Sequence, residues 1–119
     1  MLGLKDKPFL GGVESCDITF EQLSTLLDLG VITPGYHYND SPTVETYFEF
    51  GKRAKASGAT VIYIGFLESK SRADATLIIE GVKVKNFPDS VSLIMDFSQT
   101  FHGADEFTAN VELLRAWYD

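Results

Sequence analysis

The densest run of apolar positions lies at 59–67, ATVIYIGFL. Val61, Ile62, Tyr63, Ile64, Phe66 and Leu67 fall on both sides of a pleat. Side chains alternate faces along a strand, so such a run asks for cover above and below and predicts an interior strand. Gly65 interrupts it, which marks a bulge or a close approach; a helix packed over the gap is the simplest occupant. Residues 68–74, ESKSRAD, are polar throughout and read as a solvated loop.

A second strand is expected at 75–79, followed by Glu80-Gly81 and then Val82-Lys83-Val84-Lys85. A chain running straight through Gly81 would put Leu77 and Ile79 on the face of Lys83 and Lys85. A two-residue turn at Glu80-Gly81 instead sets Ile79 against Val82 and Leu77 against Val84, with the lysines on the other side. We therefore favour a hairpin, with a bulge at Gly81 in one long strand as the rival. Pro88 lacks a backbone donor and should end the pairing. In 90–97, Val91, Leu93, Met95 and Phe97 alternate with Ser92, Ile94 and Asp96, the pattern of a half-buried strand.

Helical periodicity flanks this region. Residues 1–18 read as an irregular lead-in in which Phe9, Leu10 and Val13 could tuck against the body, with a short strand as one form of that contact. Thr19-Phe20-Glu21-Gln22 fits a capping box, and Phe20, Leu23, Leu26 and Leu27 recur at helical spacing up to a stop at Gly30. A second helix is expected from Ser41 as N-cap and Pro42 at the first position, running to Ser57 and closed by Gly58. Its apolar stripe is Val44, Tyr47, Phe48 and Ala54, and Gly51 offers room for another backbone. After a connection at 98–103, a third helix is expected over 104–118, with Phe107, Val111, Leu114 and Tyr118 on one face and Leu113 and Trp117 widening it.

The predicted order is α-α-β-β-β-β-α: an α+β fold with an antiparallel sheet of about four strands packed with three helices, in a single domain spanning 1–119. Ile62, Ile64, Phe66, Ile78 and Ile94 would form a second apolar sheet face. Burying each of them is worth about 1.5–3 kcal/mol, so either the helices divide between the two faces or a second copy covers one. We expect a homodimer.

Composition changes this picture little. The one cysteine, Cys16, allows no intrachain disulfide and agrees with a reducing compartment, and a cytoplasmic location is expected. The net charge of −7 argues against non-specific nucleic-acid binding. Residues 52–85 nevertheless hold seven of the ten basic residues against Glu68, Asp74 and Glu80, so that segment is near +4 within an otherwise acidic chain. Lysines along a solvated sheet edge explain this most simply. A docking patch for an acidic protein partner at Lys52, Arg53, Lys55, Lys70 and Arg72 is the sharper explanation.

Chemistry-bearing motifs are few. There is no HExxH, GxGxxG, P-loop or paired-cysteine spacing, and no metal or cofactor is expected. The loop Tyr36-His37-Tyr38-Asn39-Asp40 gathers aromatics, an imidazole, an amide and a carboxylate just before a helix N-terminus, where backbone N–H groups attract anions. With His102, which has Asp105 and Glu106 beside it, this loop is the candidate ligand site. The plainer account of the loop is capping by Asn39 and Asp40 with the tyrosines packed on the body. These observations favour a non-catalytic binding or protein-interaction module that self-associates. The alternative is a metal- or thiol-dependent hydrolase using the 36–40 loop and His102, with Cys16 as a nucleophile.

Overall fold

The computed structural model describes residues 13–68, 76–88 and 91–119. Its elements in chain order are β1 (Val13–Thr19), α1 (Phe20–Asp28), α2 (Val44–Ala56), β2 (Thr60–Glu68), β3 (Thr76–Lys85), α3 (Val91–Thr100), β4 (Glu106–Ala109) and β5 (Leu114–Trp117). The strands form one antiparallel sheet in the order β1-β2-β3-β5-β4. The class is α+β, with three helices on a five-stranded sheet.

β2 lies inside the sheet, as its two-sided apolar run requires, and β1 is the edge strand beside it. The first helix follows its sequence signals closely. The Thr19 hydroxyl accepts from Gln22 N at 3.1 Å, and the Gln22 side chain accepts from Thr19 N at 2.9 Å. Leu23 and Leu26 are buried, and Phe20 and Leu27 pack against them. The second helix starts two residues later than expected. Thr43, not Ser41, is its N-cap, and its Oγ1 accepts from Thr46 N at 3.2 Å.

Four expectations are corrected. The chain at Glu80-Gly81 does not turn back: β3 runs on as one strand, with a register shift opposite Ile64/Gly65. Glu80 is the extra residue. It resets the alternation, so that Ile79, Val82 and Val84 all reach one face and Lys83 the other. The bulge thus sorts the apolar residues as well as a hairpin would. Gly81 fits here because a Cβ would stand 2.5 Å from Ala116 O and 3.2 Å from Trp117 Cα. Residues 69–75, with Lys70 and Arg72, lie outside the described residues.

Residues 91–100 are helix, not strand. Of the alternating set, Leu93 and Phe97 are buried, whereas Val91 is 70% and Met95 54% exposed. Residues 106–117 are a hairpin, not a helix. Asn110 Oδ1 caps its turn by accepting from Glu112 N at 2.8 Å and Leu113 N at 3.0 Å. Finally, the lead-in ends in a seven-residue strand, β1; Phe9 and Leu10 lie outside the described residues.

All three described helices pack on one face of the sheet. That face carries Cys16, Ile18, Val61, Tyr63, Ile79, Val82, Val84, Leu114 and Ala116, joined to Leu23, Leu26, Val44, Tyr47, Phe50, Phe97 and Phe101 in one core. Phe50, Phe97 and Phe101 interlock with centroids 5.1–5.8 Å apart, and Tyr47 stacks on Phe101 at 5.4 Å. α2 presses close to β2 at Gly51. A Cβ there would collide with the Tyr63 hydroxyl and reach within 2.9 Å of Phe20 Cδ1, so the close neighbours are side chains rather than another backbone. The Tyr63 hydroxyl donates to Tyr47 O at 2.9 Å, tying sheet to helix. Ile94, expected on the second sheet face, sits on α3 against the core.

Candidate functional site

The 36–40 loop is braced at both ends. Tyr36 O accepts from Val44 N at 2.9 Å and Pro34 O from Glu45 N at 2.8 Å, while Thr43 Oγ1 takes Thr46 N. Those three first-turn donors of α2, which an anion would need, are engaged by the chain itself. Asn39 takes a left-handed conformation (φ 49°), and its Nδ2 donates to Asp119 O at 3.3 Å. His37 is exposed, with Nδ1 2.8 Å from Asn39 O. Tyr38 meets Phe66 edge-on at 5.2 Å, and its N–H donates to the Oγ of buried Ser41 at 3.2 Å. Tyr36 is 40% exposed, and Asp40 is exposed.

Around this loop the fold gathers groups that the sequence pattern did not single out. Asp119 N donates to Asp105 Oδ2 at 2.8 Å, and Tyr118 N to Glu80 O at the bulge, also at 2.8 Å. Burial pushes the Tyr118 phenol up to about 12, with the Asp105 charge adding to it. Burial also pushes the Glu80 carboxyl up; the Trp117 side chain opposes this, and Asp119 adds a smaller push. The Tyr47 hydroxyl is fully buried and has no hydrogen-bond partner among the described residues; burial drives its ionisation far above the ordinary range.

His102 stands just past α3, exposed, with Nδ1 2.9 Å from Gln99 O. Cys16 is buried in the core, across the β1–β2 ladder from Gly65. Among the described residues, no three of the His, Cys, Asp and Glu side chains come together where they could hold a metal ion. The basic side chains of α2 are paired within the chain: Lys52 with Glu49 at 3.7 Å, Arg53 with Asp96 through two bonds of 2.7 and 3.0 Å, and Lys55 with Glu21 at 2.9 Å.

The second candidate is the sheet face away from the helices. The register places Ile62, Ile64, Phe66 and Ile78 on it, together with Gly81, Lys83, Arg115 and Trp117. Phe66 and Ile78 pair across the ladder and are buried, while Ile62, Ile64 and Trp117 are half-buried. Lys83 reaches Asp17 on β1 at 3.3 Å, and Arg115 reaches Glu106 on β4 at 2.8 Å. Ile62 and Ile64 on β2 thus lie between the strands joined by the Lys83–Asp17 pair, while Trp117 neighbours Glu106 on β4. Sequence reading found the isoleucines. It missed Trp117, Arg115 and Asp17, for which the signal was the two-residue alternation of Leu114, Ala116 and Tyr118 against Arg115 and Trp117.

No protein-family model, curated protein or solved structure matches this chain. Among the described residues, no helix is long and apolar enough to cross a membrane.

Proposed function

We propose that this chain is a non-catalytic interaction module of the cytoplasm that self-associates through the helix-free face of its sheet. The observation that carries the reading is the placement of all three described helices on one face while Ile62, Ile64 and Trp117 stay half-buried on the other. Apolar side chains grouped on an open face mark interaction surfaces more often than scattered ones do. The braced 36–40 loop and the paired lysines and arginine of α2 fit a framework role for those segments. The test is the mass in solution by light scattering across micromolar concentrations. A dimer is expected for the wild type and a monomer for Ile62→Ser with Ile64→Thr, both folded by circular dichroism. A wild-type monomer at every concentration, or an undisturbed dimer in the double variant, overturns the reading.

A further inference from the structure

We infer that the contact is a two-fold pairing of identical copies, in which Asp17 and Glu106 of one copy meet Lys83 and Arg115 of the other. This inference rests on the self-association proposed above and names what orients it. The chain carries a net charge of −7. By register the helix-free face carries the acids Asp17, Glu68 and Glu106 and the bases Lys83, Lys85 and Arg115, so that face is near neutral and the rest of the chain near −7. Bringing two copies together through the acid-rich remainder juxtaposes like charges, which disfavours that contact. On the open face, Asp17 and Glu106 each already have a base within reach.

The two signs are also sorted by position. Asp17 lies on the β1 edge strand and Glu106 on the β4 edge strand, whereas Lys83 and Arg115 occupy the two inner strands β3 and β5. The acids keep most of their surface open: their side chains are 63% and 58% exposed, against 26% and 31% for Lys83 and Arg115. Each acid therefore has room to accept a second cation while keeping its own. In an isologous contact, any acid-to-base meeting occurs twice by symmetry, so the two exposed carboxylates supply four cross-contacts. The Ile62, Ile64 and Trp117 strip then lies between them, out of water.

The experiment uses charge swaps that leave the apolar strip intact. One variant carries Asp17→Lys with Glu106→Lys, a second carries Lys83→Glu with Arg115→Glu, and a third carries all four. Self-association is read by analytical ultracentrifugation, and folding by circular dichroism. Each double variant alone should associate at least about tenfold more weakly than wild type, through like-charge contacts. An equimolar mixture of the two should form a one-to-one pair, and the quadruple variant should recover self-association. Double variants that associate as tightly as wild type, a mixture that gains nothing, or a monomeric quadruple variant would each overturn this charge pairing while leaving association through the apolar strip standing. A wild type that is monomeric throughout removes both.

Discussion

The two faces of the sheet are built from the same strands and do opposite work. On the covered face, Val61, Tyr63, Val82, Val84, Leu114 and Ala116 lie under a helical layer whose aromatic rings lock into one another. On the open face, the same strands present Ile62, Ile64, Lys83, Arg115 and Trp117, held by cross-strand neighbours and two ion pairs. Burial depth separates most of them: the covered set is near zero exposure, while on the open face Ile62, Ile64, Lys83, Arg115 and Trp117 are intermediate and Phe66 and Ile78 are buried. Folding free energy should therefore concentrate on the first face, and surface available for association on the second.

The largest expected effect tests that division directly. Phe97 is fully buried and touches Phe50, Phe101 and Phe107. Phe97→Ala should cost about 3–5 kcal/mol, the sum of lost transfer energy and a cavity that rigid ring neighbours cannot refill. Ile62→Thr keeps a β-branched side chain on a strand and should cost the isolated chain less than about 1 kcal/mol. Urea unfolding of both variants at a concentration where the protein is monomeric makes the comparison. Equal losses would mean that the open face is part of the folding core.

A smaller effect comes from the joint between helix layer and sheet. An alanine in place of glycine inside a helix ordinarily stabilises by roughly 1 kcal/mol. At Gly51 the added methyl group would displace the Tyr63 hydroxyl from its bond to Tyr47 O and crowd Phe20. Gly51→Ala should therefore destabilise, by about 1–3 kcal/mol for an overpacked site. The sign is what matters in a thermal melt: a rise in Tm would show that α2 sits loosely on the covered face.

How much of this was readable from the chain depends on how local each signal was. The α1 capping box needs only Thr19 and Gln22, and both bonds form. The interior strand at 60–68 announced itself by being apolar on both sides. The 91–100 segment misled because Leu93 and Phe97 are four apart, a spacing that suits both a strand face and one helical turn. In 106–117, Phe107, Val111, Leu114 and Tyr118 imitate a helical stripe. Yet Val111 is 64% exposed in the turn that Asn110 caps, and Leu114, Ala116 and Tyr118 carry the real two-residue period. In the sequence the bulge is only the rival to a hairpin, because the extra residue and a two-residue turn sort the apolar side chains equally well. The composition of the candidate sites was visible, but their assembly was not: Lys83 finds Asp17 across 66 positions and Asn39 finds Asp119 across 80. Such pairings follow from strand order, which no short window reveals.

The smallest effect lies on the seam between the faces. Glu80 is the bulge residue, set between Ile79 on the covered face and Gly81 on the open one. Burial raises its carboxyl pKa above the unfolded value, with the Trp117 side chain pulling the other way and Asp119 adding repulsion. A folded-state pKa above the unfolded one means that the native state holds the proton more tightly. The stabilisation is complete below the unfolded pKa, about 4.3 for glutamate, and is lost as pH rises through the raised folded value. At neutral pH the native chain therefore carries the cost of a partly desolvated charge, and Glu80→Gln removes it while keeping the side chain's shape. The variant should melt higher than wild type at pH 7, by a margin well below the Gly51→Ala effect, and the gap should close below about pH 4, where both side chains are neutral. A variant that melts lower at pH 7 would mean that the Trp117 side chain stabilises the charged form more than burial penalises it. The seam would then be held by that polar contact rather than strained by it.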